Sequence, residues 1–350
     1  MDLNTLLEKA IQTNSSDLHL LVGLPPVYRI DGVLQQYTAV EPLSDQQLTQ
    51  MIMPLLTSAQ SELLRNNRAI DFSYGYGDKG RFRVNLYYQR STLGAAFRLL
   101  PPKVRTIDEL HLPNICHKLA ALKQGFVLIT GPTGHGKTTT IASIVNEINM
   151  TRAANIITIE DPIEYVYPKG KSIISQREIG HDTLSWGEGL KSALREDPDV
   201  VVVGEMRDPE SIAASITIAE TGHLVFSTLH TNSASQSVDR IIDSFPEAQQ
   251  NQVRIQLAGT LEAIISQRLI PTIESGRIIA TEVLVATNAV KTNIREGKSH
   301  LIDSIIETSS DEGMNSIESS LAQLVKAGSI TVDIAKAYAM RPAILDRLIV

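Results

Sequence analysis

The twelve residues ITGPTGHGKTTT, 129–140, decide how this chain is read. Gly131, Gly136, Lys137 and Thr138 stand at the spacing G-x-x-x-x-G-K-[ST], the pattern of a loop that wraps a nucleotide triphosphate. Each residue type has a physical task. Glycines let backbone N–H groups turn onto phosphate oxygens, and the positive end of the next helix faces the same anions. The Lys137 ammonium reaches the β- and γ-phosphates, and the Thr138 hydroxyl is a ligand for Mg2+. Gly131, Pro132, Thr133, Gly134, His135, Gly136, Lys137, Thr138 and Thr139 are therefore read as the nucleotide-binding loop. For His135, exposure to solvent is the preferred reading and contact with the nucleotide the alternative.

The surroundings agree with the loop. FVLIT, 126–130, is an apolar strand before it, and Ile141, Ile144, Val145 and Ile148 give the following segment a helical apolar stripe. Further out, the apolar runs NIITIE, VVVVGE and HLVFSTLH alternate with helical segments near 184–195 and 209–220. Continuous Val/Ile runs mark strands buried on both faces, hence a parallel sheet covered by helices. After RIIATEVLVA the chain reads as helical, and NSIESSLAQLVKAGSI, with Ile317, Leu321, Leu324 and Val325 in register, closes at Gly328. Residues 1–99 have a different grammar: a short helix, a strand at SDLHL, two strands around an Asp31-Gly32 turn, a helical stretch from Ser44 to Asn67, then three alternating strands. Pro101 and Pro102 begin a linker and natural hinge, so the expected division is 1–99, a linker 100–107, an ATPase core 108–287 and a helical segment 288–350.

Composition removes some classes. The chain has 350 residues, 43% hydrophobic and 20% charged, with a net charge of −7, so it lacks the basic surface of a non-specific nucleic-acid binder. Its one cysteine, Cys116, makes no internal disulfide and no cysteine zinc site and is read as a buried thiol. The first residues do not read as a signal peptide, and no run approaches the ~20 apolar residues of a membrane span. The expectation is a cytoplasmic protein that reaches a membrane only through a partner.

Hydrolysis needs a group to hold Mg2+ and a group to orient water. Glu205 ends the run VVVVGE, where a Mg2+-side acid belongs. Glu160, Asp161 and Glu164 end another strand, and acids crowded there are costly unless a cation or catalysis uses them. A solvated acidic turn is the plain alternative. His223 and His230 flank the strand LVFSTL; metal ligation is disfavoured because no Cys/His partners stand at ligand spacing, and the reading is sensing the γ-phosphate or linking it to a neighbouring element. Arg81 and Arg83, two apart on a strand, share a face, with Arg98 a third candidate. A solvated cationic face and an arginine finger acting on the ATP of an adjacent subunit both stand.

Together these residues resemble the type IV pilus retraction ATPases, the PilT family, within the wider secretion ATPase superfamily. The resemblance runs along nearly the whole chain. SDLHL…GLPPVYRIDG and GRFRVNLYYQRSTLGAAFRLLP resemble the family's N-terminal stretches, GPTGHGKTTT its Walker A loop, ITIEDPIEYVY its aspartate box, LREDPDVVVVGEMRD its Walker B region and TGHLVFSTLHTNSA its histidine box. The resemblance implies an α/β fold: a RecA-like, parallel-sheet P-loop ATPase domain, a smaller α+β PAS-like N-terminal domain and a helical C-terminal segment. It implies a homo-hexameric Mg2+-ATPase, cytoplasmic and docked at the inner face of the inner membrane beneath a pilus platform protein. In it, Glu164 would activate water, Glu205 would be the Walker B acid, and Arg81 and Arg83 would act on the neighbour's nucleotide. ATP hydrolysis would withdraw pilin subunits from the fibre, as in twitching motility.

Alternatives stay in view. Pilus-assembly and type II secretion relatives typically carry an extra N-terminal domain and a four-cysteine zinc site, which disfavours them here. Retraction ATPases usually read AIRNLIREGK where this chain has AVKTNIREGK, 289–298. That segment is tied to retraction in the family, so an accessory retraction paralogue, the motor of a divergent pilus system, or a regulatory subunit that barely hydrolyses ATP stands beside the principal motor. A nucleic-acid motor is disfavoured by the acidic balance.

Overall fold

The computed structural model describes residues 2–30, 32–77, 79–100 and 103–349. The chain divides into two compact units: 1–103 with 162–166, and 104–161 with 167–350.

The first unit is an antiparallel sheet with helices. Its strands are β1 (Asp17–Leu21), β2 (Val27–Ile30), β3 (Val33–Gln36), β4 (Ala69–Tyr76), β5 (Gly80–Gln89) and β6 (Thr92–Leu99), in the order β3-β2-β1-β6-β5-β4. Alternation works as written in the sequence: Phe82, Val84 and Leu86 of β5 enter the core with Leu18, Leu20 and Phe97, while Arg81 and Arg83 take the other face. Ile30 pairs with Val33 across the expected hairpin turn, of which Asp31 lies outside the described residues, as do Pro101 and Pro102 of the expected linker. The helices are α1 (Leu3–Gln12), α2 (Asp45–Ile52) and α3 (Ser58–Asn67). The stretch from Ser44 to Asn67 is thus two helices rather than one continuous helix. Pro54 lacks the N–H that a helix interior needs, and Thr57 opens a second capping box with Gln60, as Ser44 does with Gln47.

The second unit holds a seven-stranded sheet: β7 (Gly125–Thr130), β8 (Asn155–Glu160), β9 (Ile173–Glu178), β10 (Val200–Val203), β11 (Leu224–Leu229), β12 (Leu261–Pro271) and β13 (Arg277–Val285). The order is β13-β12-β7-β11-β10-β8-β9, parallel except for the β12–β13 hairpin at one edge. β7, β10 and β11 are buried throughout. Their alternate residues feed two cores. Phe126, Leu128, Val201 and Val203 join one, and Val127, Ile129, Val200 and Val202 the other. Burying each such side chain is worth about 1.5–3 kcal/mol, which is why these strands read as unbroken apolar runs.

The helices of this unit are α4 (Ile115–Ala121), α5 (Lys137–Thr151), α6 (Trp186–Ala193), α7 (Pro209–Glu220), α8 (Ala234–Asp243), α9 (Glu247–Thr260), α10 (Asn288–Arg295), α11 (Ile302–Thr308), α12 (Ile317–Lys326), α13 (Val332–Tyr338) and α14 (Pro342–Ile349). Ile317, Leu321, Ala335 and Leu345 of the last three helices pack on Ile270 and Ala280 of the β12–β13 hairpin. Cys116 is fully buried, and burial pushes its thiol up to about 12, so it stays an unreactive thiol at neutral pH. Among the described residues no helix is long and apolar enough to cross a membrane.

Candidate active site

The site forms where parallel strands end. The loop 131–136 leaves the carboxyl end of β7, Glu205 follows β10 and His230 follows β11, and these are three neighbouring strands. A parallel sheet brings such ends to one edge, the place where open α/β sheets bind ligands.

Gly131 adopts φ +141, and a Cβ there would stand 2.3 Å from the Gln267 carbonyl, so only glycine lets the loop pass this close to β12. Gly134 and Gly136 also take left-handed φ values, and Gly136 precedes the first turn of α5. The result is a run of backbone capped by a helix N-terminus, which suits an anion. Lys137 is nearly buried, and its Nζ donates to the carbonyls of Gly131 at 2.8 Å and Pro132 at 3.0 Å. The ammonium is thereby held over the loop it serves. Thr140 donates its hydroxyl to Gln267 at 2.9 Å.

Glu205 is largely covered, forms an ion pair with Arg207, and has His230 Nε2 3.4 Å away. The partnership pushes the Arg207 guanidinium above its ordinary range, with the Glu205 hydrogen bond as the main cause and Asp161 adding to it. His230 Nδ1 lies 3.3 Å from the Thr133 hydroxyl and 3.4 Å from Lys137 Nζ. His230 thus connects loop and carboxylate.

The other acids divide. Glu160 is buried and accepts hydrogen bonds from Thr158 at 2.6 Å and Gln176 at 3.0 Å, so it ends β8 as a satisfied carboxylate. Asp161 is exposed, and Glu164 lies on 162–166, the segment that groups with the first unit. In that unit Arg81 donates to Ser73 at 2.5 Å, Arg83 pairs with Asp71 at 3.7 Å, and Arg98 bonds Asp17 at 3.0 Å. Arg83 and Arg98 are cross-strand partners, so the three arginines share one face.

His223 does not join the cluster. It precedes β11, whereas His230 follows it, and the intervening extended residues separate the two by roughly 20 Å. His223 Nδ1 lies 2.9 Å from the Thr221 hydroxyl and 3.0 Å from the Ile218 carbonyl. Flanking a strand puts two residues at opposite ends of it, so His223 lies away from this chain's own loop.

Two participants were not foreseen. Gln267 lies on β12, a strand the sequence pattern did not reveal. Arg207 stands two residues after Glu205, an opposite-charge neighbour that offered a signal.

Glu205 and Thr138 offer the hard oxygens that Mg2+ takes, and Mg2+ completes its shell with water and phosphate. A triphosphate and its Mg2+ therefore fit the residues present.

Comparison with known proteins places this geometry. A family model described as Type II/IV secretion system protein matches residues 1–326. The chain is 42% identical over 342 residues to a Pseudomonas aeruginosa protein described as a type IV pilus retractation ATPase, PilT, covering 98% of this chain and 99% of that one. It is 43% identical over 335 residues to a Neisseria gonorrhoeae twitching motility protein, covering 95% and 89%. A crystal structure of the pilus retraction motor PilT with bound ADP superposes with a TM-score of 0.93 at 43% identity over 99% of both chains. With matches of this length joined to a phosphate loop built for them, the chain belongs to the type II/IV secretion system protein family.

Proposed function

We propose that this chain is a Mg2+-dependent ATPase that drives retraction of type IV pili and so supports twitching motility. The observation that carries this reading is the meeting of Lys137, His230 and Glu205 at the ends of three adjacent parallel strands, in a chain similar over nearly its whole length to a retraction ATPase.

The residues divide the work. The 131–136 backbone and the α5 N-terminus bind and orient the phosphates. Lys137 moves from the carbonyls of Gly131 and Pro132 onto the β- and γ-phosphates. Glu205 and Thr138 hold Mg2+, which when bound neutralises charge on the phosphate oxygens. His230 orients Glu205 and meets Lys137 on its other side, so movement of Lys137 is felt at the carboxylate. Glu164 takes the proton of the attacking water, and Arg81 and Arg83 act on the nucleotide of an adjacent subunit in a homo-hexamer. These last roles rest on the match of those residues to the family's motifs. The reading extends to a 1–99 PAS-like domain joined through 100–107 to the ATPase core and the 288–350 segment. It also extends to docking beneath an inner-membrane platform protein.

One second reading has an observation behind it. The altered half of 289–298, AVKTN, favours an accessory retraction ATPase working beside a paralogue. Purified chain with ATP and Mg2+ is expected to release phosphate, and chelation of Mg2+ to stop it. ATP binding without turnover would leave the regulatory-subunit reading instead.

A further inference from the structure

His135 has no task in the chemistry of a phosphate loop, yet it bonds β12 through both its ring and its carbonyl. Its ring Nδ1 receives the N–H of Leu269 at 3.0 Å, and its carbonyl receives the side-chain amide of Gln267 at 2.6 Å. Gln267 is fully buried, and its other end holds the Thr140 hydroxyl at 2.9 Å. The loop and the first turn of α5 are therefore tied to two residues of β12, Gln267 and Leu269.

The reason lies in strand lengths. β12 outruns β7: their pairing stops at Ser266 and Thr130. Beyond that point the N–H of half-buried Leu269 has no β7 residue opposite it, and a backbone N–H shielded from water needs an acceptor. The His135 ring stands where the next strand residue would. Arg268, between Gln267 and Leu269, donates to the Tyr338 carbonyl at 3.3 Å, at the end of α13. The same short run of β12 holds the phosphate loop with two residues and the C-terminal helices with the one between.

Accepting from a backbone N–H requires an unprotonated Nδ1, hence a neutral ring with its proton on Nε2. The surroundings support that state. Burial first, then Arg268 on β12, Lys137 on α5 and Arg277 on β13, hold the ring below its ordinary 6.5.

We propose that His135 is a positioning residue: as a neutral acceptor it fastens the phosphate loop to β12, and loss of that bond loosens the loop that orients ATP. The proposal rests on the ATPase reading. It gives a purpose to a histidine that triphosphate chemistry does not require.

The test compares full-length wild type with H135N and H135L. Asn places its Oδ1 where Nδ1 stands and accepts at every pH, whereas Leu fills similar volume without an acceptor. Melting curves, ADP affinity, and KM and kcat for ATP are measured from pH 5.5 to 8. H135L is expected to lose about five- to tenfold in kcat/KM, the worth of one hydrogen bond. H135N is expected to regain most of it and to hold its activity to lower pH than wild type. H135L equal to wild type in both constants, or H135N no better than H135L, would overturn the proposal. Should H135L fail to fold, wild type and H135N with identical acid limbs would overturn it. Wild type that neither binds ADP nor hydrolyses ATP would overturn the ATPase reading itself, which is a different result from an active wild type with a silent H135L.

Discussion

His230 Nε2 lies 3.4 Å from a carboxylate oxygen of Glu205, while the other ring nitrogen lies 3.4 Å from Lys137 Nζ. An ammonium has only hydrogens to offer, so Nδ1 must be the acceptor and Nε2 must carry the proton toward Glu205. The tautomer is thereby set by Lys137. In the proposed ATPase cycle phosphate draws Lys137 away, so His230 loses that partner and the change reaches Glu205 through one ring.

His230→Ala should therefore lower kcat on the order of 10²-fold, the usual cost of losing a positioned polar group at a reacting centre. KM for ATP should change little, because the loop remains intact. Steady-state kinetics check this, and a loss confined to KM would contradict it.

Gly131→Ala places a methyl 2.3 Å from the Gln267 carbonyl at a φ that side chains rarely adopt. The expected cost is about 2 kcal/mol of stability together with loss of nucleotide binding. A thermal melt and a fluorescent-nucleotide titration read both. An unchanged protein would mean the loop does not pass β12 as closely as described.

Glu282 is buried on β13 and accepts the Ala234 N–H at 2.7 Å, at the start of α8. Burial, with Asp303 and Glu318 nearby, pushes its carboxyl up to about 7 from an ordinary 4.5. The folded chain therefore keeps a proton that the unfolded chain releases. Its stabilising contribution is complete below pH 4.5 and is lost as pH rises through about 7. The effect is on the order of 3 kcal/mol. Denaturant unfolding between pH 4.5 and 8 should show Glu282→Gln losing less stability across that range than wild type. Parallel profiles would contradict the buried protonated state.

Arg81→Ala mixed with wild type tests action on a neighbour. If Arg81 serves the adjacent subunit, ATPase activity should fall faster than the mutant fraction rises. A strictly proportional fall would leave Arg81 with a role inside its own subunit, where it donates to Ser73.

The phosphate loop, Glu205 and the doubly buried strands were legible because each carries a local signature: glycines at set intervals, an acid ending a valine run, apolar residues without alternation. The Lys137–His230–Glu205 meeting was not, because it depends on β11 lying between β7 and β10, and strand order is not written in any one strand. The same gap explains His223: sequence proximity to a core strand says nothing about which end faces the loop. β12 was missed because LEAIISQRLIP mixes polar residues into an edge-side strand, and with it Gln267 and the anchor of His135 were missed too.

The most direct measurement is the number of surface pili, scored beside twitching, in cells whose only copy of this chain carries Glu205→Gln. The account predicts more pili than wild type and no twitching, because fibres are built and not withdrawn. Pili and motility at wild-type levels would contradict it, and a surface without pili would show that the ATP is spent on assembly.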